Sequence, residues 1–335
     1  MRMLEIINLH SYFETKNGLI KAVDGVSLGI EEGKTLGIVG ESGSGKSQTA
    51  MAILKLFENN QKIYDGEIYL ENEKISDLSE KEMYKIRGNK ISMIFQEPMT
   101  SLNPVFSIGS QISEVFKLHQ GMSKIKARES SIKMLESVKI PNAGEIMDQY
   151  PHQLSGGMRQ RVMIAMALAC NPKLLIADEP TTALDVTIQA QILRLMNELK
   201  DELKTSIMFI THDLGVINQM ADEVAVMYCG QVVETAPVDY IFKAAEHSHP
   251  YTEALLTSIP HLSGEKKARL DAIPGAVPHP LDLPKGCRFA PRCKYCQEKC
   301  ENEMPEMINI NDIHNIRCFY PQKEVRKQWQ NKTSS

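Results

Sequence analysis

The amino-acid sequence predicts an α/β protein built around a phosphate-binding loop, and three observations lead to this fold class. Residues Gly40–Ser47 follow the pattern G-x-x-x-x-G-K-S, which is typical of loops whose backbone N–H groups surround a phosphate. The apolar run Thr35–Val39 predicts a buried strand before the loop, and Ser47–Lys55 predicts a helix after it. Later apolar runs end in polar or acidic residues, as strands of an open α/β sheet do where ligands bind.

The loop is the candidate nucleotide site. Its glycines allow a tight turn, and the helix N-terminus that follows favours negative charge. Lys46 is expected to neutralise the β- and γ-phosphates, and the Ser47 hydroxyl to ligate Mg²⁺. A glycine turn beside a surface lysine is the alternative, but at average glycine usage the pattern arises by chance in only about one such chain in a hundred. The loop residues predicted to bind nucleotide are Gly40, Ser42, Gly43, Ser44, Gly45, Lys46, Ser47 and Gln48.

Composition restricts the class of protein. The chain has 335 residues, of which 42% are hydrophobic, enough for one large domain with a small appendage. A net charge of −4 without a basic block argues against a dedicated nucleic-acid binder. No apolar run approaches the roughly 20 residues of a membrane span, and no signal-peptide pattern opens the chain. We therefore expect a cytoplasmic protein that reaches a membrane only through a partner.

The first third of the chain predicts an antiparallel β subdomain. Strands are expected at Leu4–Leu9, Ala22–Leu28 and Gly66–Leu70, with hairpin-like loops between them. Two aromatic residues, Tyr12 and Phe13, fall between the first two predicted strands. One ring there could stack on a nucleobase or could simply pack at a sheet edge, and the pattern does not choose between the two rings.

The middle of the chain predicts a helical subdomain inserted into the α/β core. The apolar strand Ile91–Phe95 ends at Gln96, at the strand end where ligands bind in an open sheet. Helical periodicity then runs from about Val105 to Lys139. Further on, Ser155–Gly157 precedes a predicted helix at Arg161–Ala169, which makes a second anion-binding helix start. An ordinary loop with a helix N-cap is the alternative for Ser-Gly-Gly.

Two further strands deliver candidate catalytic residues. The run Leu174–Ala177 ends at Asp178 and Glu179. Asp178 is suited to hold the water shell of Mg²⁺, and Glu179 to polarise an attacking water. A helix-capping acidic pair is the alternative. His212 follows the strand Ser206–Thr211 and obeys the same strand-end rule, which favours a catalytic role over the structural role of most lone histidines.

The C-terminal part changes in composition. Six prolines between Ser248 and Pro284 predict a semi-rigid, poorly helical connector. Five of the seven cysteines follow between Cys287 and Cys318. In a cytosolic chain such a cluster indicates a metal before it indicates disulfides. Tetrahedral zinc and a [4Fe–4S] cluster both fit four sulfurs, so the residues alone leave the metal open.

Together these motifs resemble the ATP-binding subunit of ABC transporters over roughly residues 4–240. The segments correspond to Walker A (Gly40–Ser47), the Q-loop (Gln96), the signature (Leu154–Met158), Walker B with the catalytic glutamate (Asp178 and Glu179), the D-loop (Ala183–Asp185) and the switch histidine (His212). Met158 departs from the glutamine of many members, although Ser155 and Gly157 carry the phosphate contacts.

A narrower resemblance points to the oligopeptide/dipeptide importer subgroup, which also contains nickel importers. It rests on Phe95–Pro104, Glu179–Thr187, His249–Thr252 and Gly286–Cys293. The subgroup's cysteine pattern implies an iron–sulfur cluster and leaves Cys296 as the spare thiol. The cysteines that this pattern selects are Cys287, Cys293, Cys300 and Cys318.

The resemblance also implies a mechanism. Two ATPase subunits, self or sister, pair head to tail, and each ATP lies between Walker A of one and the Ser155, Gly156 and Gly157 turn of the other. Lys46 and Glu179 then converge on the terminal phosphate. His212 contacts the γ-phosphate, Gln96 ligates Mg²⁺ and Asp185 communicates across the dimer.

Partners, cargo and domains follow from the same resemblance. The expected partners are two transmembrane permease subunits and an extracytoplasmic solute-binding protein, with the ATPase peripheral at the cytoplasmic face of the membrane. Di- or oligopeptides are the expected cargo; nickel, another small solute, or a soluble non-transport ATPase with a redox-sensing tail are alternatives. The predicted domains are an ATPase domain at 1–245 with a helical subdomain at about 97–170, a connector at 246–285 and a cysteine-rich extension at 286–335.

Overall fold

The computed structural model describes residues 2–96, 101–182, 184–244, 246–258 and 273–323. Three stretches with sequence predictions lie outside these residues: Glu97–Thr100 of the Q-loop, Ala183 of the D-loop and residues 259–272 of the connector. The chain divides into two compact units. Unit 1 comprises residues 1–4, 29–35 and 69–210, and unit 2 comprises residues 5–28, 36–68 and 211–335.

The strands of the described residues are, in chain order, β1 (Arg2–Thr15), β2 (Gly18–Glu31), β3 (Thr35–Val39), β4 (Gln61–Leu70), β5 (Glu73–Lys74), β6 (Ile91–Ile94), β7 (Leu174–Asp178), β8 (Ser206–Thr211), β9 (Glu223–Tyr228), β10 (Gln231–Pro237), β11 (His247–Ser248), β12 (Ile308–Asn311), β13 (His314–Ile316) and β14 (Gln322–Lys323).

The α-helices of the described residues are α1 (Lys46–Ile53), α2 (Glu80–Ile86), α3 (Ile108–Gln120), α4 (Lys124–Ser137), α5 (Ala143–Ile146), α6 (Gly156–Leu168), α7 (Val186–Leu203), α8 (Leu214–Met220), α9 (Pro250–Thr257) and α10 (Glu298–Asn302). Short 3₁₀ turns occur at Pro151–Gln153 and Ala290–Arg292, and a π-helical turn at Tyr240–Ala244.

Unit 1 contains a parallel sheet beside a group of helices. Strand β7 pairs in parallel with β6 on one side and β8 on the other, so that Ala177 lies opposite both Ile94 and Phe209. All five residues of β7 are buried, as expected for a central parallel strand that is covered on both faces. Helices α3 and α4 pack against each other, and both contact α6. These helices fall in the region that the sequence predicts as an inserted helical subdomain.

Unit 2 carries the phosphate loop and the C-terminal region. Strand β3 pairs in parallel with β9, and β9 continues through antiparallel neighbours in the order β10, β13 and β12. The hairpin strands β1 and β2 form a second sheet with β4. In β3 the apolar run leads directly into the loop before α1, which is the strand–loop–helix arrangement that the sequence predicts.

A buried side-chain hydrogen bond ties the C-terminal residues of unit 2 to β10. Glu234 and His314 are both fully buried, and their Oε1 and Nε2 atoms lie 2.8 Å apart. The other carboxylate oxygen of Glu234 accepts the backbone N–H of His249 at 2.9 Å. A buried carboxylate is tolerated only with such partners. Glu234 therefore fixes both β13 and the start of α9 against β10.

The strands predicted from apolar runs are confirmed, but several boundaries are wrong. The helix predicted at Arg161–Ala169 begins at Gly156, because the Ser155 side chain caps it. Tyr12 and Phe13 lie within β1, which is longer than predicted, and not between two strands. Helix α9 falls in the connector that was expected to be poorly helical. Pro250 sits at its first position, where the missing N–H costs no hydrogen bond.

In the part of the chain that the structure describes, no helix combines the length and the hydropathy that a bilayer crossing needs. The predicted domain boundaries at 245 and 285 stay predictions.

Candidate nucleotide-binding site

The phosphate loop is shaped by glycines that have no room for a side chain. Gly45 has a φ of 100°, and a Cβ atom placed on it would lie 2.4 Å from the carbonyl oxygen of Ala22. A Cβ on Gly40 would lie 2.2 Å from the carbonyl oxygen of Met227. Both contacts are far closer than real Cβ atoms show. The loop therefore packs backbone to backbone against β2 and β9 within unit 2.

Lys46 is held inside the loop. Its side chain is largely buried, with 5% of the residue exposed. The Nζ atom donates hydrogen bonds to the carbonyl oxygens of Gly40 at 2.7 Å and Glu41 at 2.9 Å. These two bonds to main-chain carbonyl oxygens hold the ammonium group at the loop.

The remaining loop residues differ in exposure. Ser42 and Gly43 are exposed, Ser47 is half-buried and Ser44 is buried. The carbonyl oxygen of Ser44 accepts the N–H of Gly230 at 2.8 Å, which anchors the middle of the loop to the β9–β10 turn. Gln48 accepts a hydrogen bond from Gln61 at 2.9 Å. The exposed part of the loop is the part that a phosphate can reach.

In unit 1 the structure brings together two residues from the ends of neighbouring strands. Gln96 follows β6 and Glu179 follows β7, and the Gln96 amide donates to Glu179 Oε2 at 3.2 Å. Thr182 donates its hydroxyl to the same oxygen at 2.9 Å. Glu179 adopts a left-handed backbone with a φ of 47°, which is uncommon for a residue other than glycine, asparagine or aspartate. The neighbouring Asp178 ends β7 and is 3% exposed.

The other predicted site residues occupy element ends. Ser155 caps α6 by accepting the Met158 N–H at 3.3 Å, and Asp185 caps α7 by accepting the Ile188 N–H at 2.9 Å. Gly156 and Gly157 form the first turn of α6. In unit 2, His212 directly follows β8 and is exposed. The cap at Asp185 explains why α7 begins at Val186, two residues before Ile188, where the sequence predicts that a helix running to Leu203 begins.

The two candidate aromatic residues have different environments. Tyr12 is 8% exposed, and its hydroxyl donates to the carboxylate of Asp24. Burial and this carboxylate raise the pKa of Tyr12. Burial alone would also raise the pKa of Asp24, but the hydrogen bond from Tyr12 and the charge of Arg288 hold it below its usual value. Phe13 points from the opposite side of β1 and is half-buried.

The cysteines selected from the sequence line one pocket. Cys287, Cys293, Cys300 and Cys318 share it with apolar and aromatic side chains such as Phe289. Burial raises the pKa of Cys293 to about 11 and that of Cys318 to about 12, so these thiols are protonated at neutral pH and a metal must displace their protons. Among the described residues, no three His, Cys, Asp or Glu side chains are arranged to hold one metal ion.

Comparison with known proteins gives two family matches. Residues 23–182 match the model described as ABC transporter, and residues 233–300 match the model described as oligopeptide/dipeptide transporter, C-terminal region. The chain is 55% identical over 327 residues to the oligopeptide transport ATP-binding protein AppD of Bacillus subtilis. This alignment covers 97% of this chain and 99% of that protein. It is 52% identical to the OppD protein of Haemophilus influenzae over 95% of this chain and 97% of that one.

The chain belongs to the ABC transporter family. Its ATP-binding members are ATPases, so the chain is an enzyme that converts ATP and water to ADP and phosphate, and Mg²⁺ is its expected companion ion.

Solved structures agree with the fold of an ABC ATPase. The ATP-binding cassette MJ0796, in a dimeric post-hydrolysis state bound to ADP and Pi, is 32% identical, with a TM-score of 0.63 over 70% of this chain and 99% of that one. The cbiO1 protein of Clostridium perfringens, part of the cbiONQ transporter complex, is 28% identical, with a TM-score of 0.63 over 72% of this chain and 90% of that chain.

Sequence reasoning missed several residues that contact the ABC ATPase motifs. Thr182 donates a hydrogen bond to Glu179, and Arg292 donates one to Glu41 in the phosphate loop. Asp24 accepts a hydrogen bond from Tyr12. Thr182 lies three residues after Glu179, so helix-turn spacing could have indicated it. Arg292 lies 251 residues after Glu41, and no local pattern joins two residues so far apart.

The glycine geometry predicts a difference between Gly45→Ala and Gly43→Ala. Both positions have positive φ, so each substitution should cost about 1–2 kcal/mol of backbone strain. Only Gly45 meets a carbonyl oxygen at 2.4 Å, whereas Gly43 has nothing within 4 Å. We expect Gly45→Ala to lower the free energy of unfolding, measured in denaturant without nucleotide, clearly more than Gly43→Ala. Equal losses would show that the loop does not pack as described.

Proposed function

We propose that this chain is the ATP-hydrolysing subunit of an ABC importer that takes up di- and oligopeptides. The observation that carries the cargo assignment is the match of residues 233–300 to the oligopeptide/dipeptide C-terminal model. Relatives named as oligopeptide transport ATP-binding proteins also align over nearly the whole chain. The likeness thus extends beyond the ATPase motifs that all ABC proteins share.

In the proposed mechanism each motif has one task. Lys46 and the loop N–H groups bind the β- and γ-phosphates, while Ser47, Gln96 and Asp178 hold Mg²⁺. Glu179 orients a water and accepts its proton as the water attacks the γ-phosphate in line. The hydrogen bonds that Glu179 receives from Gln96 and Thr182 support this role, because they fix the direction of its carboxylate. His212 contacts the transferring phosphate.

Two subunits complete the site in this proposal. Ser155, Gly156 and Gly157 of one subunit face the phosphate loop of the other, where the N-terminus of α6 adds partial positive charge. Asp185 communicates between the subunits. Bound ATP then holds the two subunits together, since neither motif alone surrounds the γ-phosphate. Hydrolysis allows the two subunits to separate.

The proposed partners follow from an importer. Two permease subunits span the membrane, an extracytoplasmic solute-binding protein delivers the peptide, and the ATPase sits peripherally at the cytoplasmic face. The dimer partner is a sister ATPase or a second copy of this chain. Gln96 starts the segment that leads to α3 and α4, so its movement at the phosphate can reach the surface of these helices.

Phe13 is the better candidate for stacking on adenine. The Tyr12 ring packs against Tyr64, with centroids 4.9 Å apart, and its hydroxyl is committed to Asp24. Phe13 carries no polar group and is only half-buried. Its ring can therefore be covered by a base without losing a hydrogen bond.

We further propose that Cys287, Cys293, Cys300 and Cys318 bind a [4Fe–4S] cluster. The shared pocket supports a four-thiolate site, and its lining supplies few competing polar groups. Zinc, the alternative, would need all four sulfurs about 2.3 Å from one point. A cluster binds each thiolate through a different iron, so its sulfurs stand further apart. When bound, it would cross-link this part of the chain.

Catalysis is tested by Glu179→Gln. The amide keeps the size of the side chain but cannot accept the proton of water. We expect Mg-ATP to bind with unchanged affinity, while the hydrolysis rate of the assembled transporter falls about a hundredfold or more. Glu198→Gln, at an exposed ion pair on α7, is the control and should hydrolyse normally. Normal turnover by Glu179→Gln would remove this residue from catalysis.

Cargo is tested by uptake. Cells with and without this gene are given labelled dipeptides, labelled oligopeptides and Ni²⁺ in parallel. Peptide uptake should depend on the gene and should be restored by the wild-type chain but not by Glu179→Gln. Gene-dependent uptake of Ni²⁺ alone would replace the peptide assignment with nickel.

The metal is tested by removing single thiols. Protein purified without oxygen should be brown, with absorbance in the visible iron–sulfur band. Cys293→Ser should lose most of the iron and the colour, whereas Cys296→Ser should keep both, because Cys296 is not among the residues that line the pocket. Colourless protein with stoichiometric zinc would overturn the cluster.

A further inference from the structure

The first residue after Gly40 in the phosphate loop is held by groups from the C-terminal region. The backbone N–H of Glu41 donates to the hydroxyl of Tyr251 on α9 at 2.8 Å. The carboxylate of Glu41 accepts hydrogen bonds from both terminal nitrogens of Arg292, at 2.6 and 3.1 Å. The carbonyl oxygen accepts from Lys46. Every polar group of Glu41 therefore has a partner within unit 2, and two of them come from beyond residue 250.

Arg292 is built into this position. Its side chain is only 3% exposed. Besides the two bonds to Glu41, it donates through Nε to the carbonyl oxygen of Pro274 at 3.0 Å and through a terminal nitrogen to the hydroxyl of Tyr228 at 3.3 Å. A two-pronged pair of this kind fixes direction as well as charge. Such a buried pair is also poorly screened by salt.

A second arginine holds the β9–β10 turn, which in turn anchors the loop. Arg288 is 6% exposed and bonds both the Asp24 carboxylate and the carbonyl oxygen of Cys229. The next residue, Gly230, donates its N–H to Ser44 in the middle of the phosphate loop. Arg288 thus holds the turn that anchors Ser44, while Arg292 holds Glu41.

The charge of Glu41 gives Arg292 a specific task. The loop must receive a triphosphate, and an uncompensated carboxylate inside it would repel that anion. Arg292 pairs with this carboxylate through two hydrogen bonds, which offset its negative charge and fix its position. A loop already held in its binding shape also loses less entropy when the nucleotide arrives.

We propose that Arg292 is a positioning residue for the ATP site, which through Glu41 sets the shape and charge of the phosphate loop, with Tyr251 fixing the loop's backbone. The proposal rests on ATP binding by this loop and does not depend on the transported cargo. It makes the region that carries the cysteines part of the nucleotide-binding apparatus.

The test measures the affinity of the purified full-length chain for Mg-ATP by equilibrium binding, together with the thermal unfolding midpoint without nucleotide. We expect Arg292→Met to weaken Mg-ATP binding about tenfold, the effect of roughly 1.4 kcal/mol. Arg292→Lys, which keeps the charge but not the two-pronged geometry, should recover part of that loss. Lys294→Met removes an exposed partner of Glu253 in the same region and should leave affinity unchanged.

A double-mutant cycle separates positioning from general destabilisation. Glu41→Gln removes the charge that Arg292 neutralises, so the loss caused by Arg292→Met should shrink in the Glu41→Gln background. Tyr251→Phe deletes the hydroxyl and keeps the ring. It should weaken Mg-ATP binding with little change in the unfolding midpoint. The proposal would be overturned if the double variant lost affinity by the product of the two single-variant factors, because the two residues would then act independently. It would also be overturned if Arg292→Met, Glu41→Gln and Tyr251→Phe all lowered the unfolding midpoint without altering the affinity for Mg-ATP.

Discussion

The close packing of backbone around the phosphate loop is the constraint on which the ATP site depends. A loop that turns its N–H groups toward one anion must bring main chain against main chain, and side chains have no place on the packed face. Gly40 and Gly45 meet the carbonyl oxygens of Met227 and Ala22 at distances that exclude a Cβ atom. The loop's shape is therefore not a local property of Gly40–Ser47. It is set by β2 and by the β9–β10 turn, which must themselves be held in place.

The proposed catalytic residues obey a second constraint, which comes from parallel strands. Neighbouring parallel strands end at the same edge, so residues that follow them meet although they are far apart in sequence. Gln96 and Glu179 lie 83 positions apart and share a hydrogen bond for this reason. The left-handed backbone of Glu179 turns the chain sharply after β7. Together with the hydrogen bond from Thr182, this turn gives the carboxylate one direction, which the proposed orientation of a water by Glu179 requires.

Periodicity and strand-end residues predicted the apolar strands, the loop and the positions of Gln96 and Glu179 at strand ends, because these depend on local pattern and on sheet geometry. Helix starts were predicted late, since capping by Ser155 and Asp185 depends on side-chain hydrogen bonds that hydrophobic periodicity does not register. The extent of β1 was underestimated because its polar half is stabilised by pairing with neighbours. The contact of Arg292 with Glu41 could not be predicted from the sequence, because the two residues are far apart along the chain and only the folded structure brings them together.

The arginines beside the cysteines change how the C-terminal region is understood. An appended module would be expected to meet the rest of its unit through exposed pairs, which salt screens and which contribute little. Arg288 and Arg292 are instead almost fully buried, and each bonds a carboxylate from the first 41 residues. A buried pair that loses one partner leaves a charge without solvent, which is strongly destabilising. The phosphate loop and the cysteine-bearing region therefore depend on each other, and whatever orders the residues around Cys287 and Cys293 also orders the two arginines next to them.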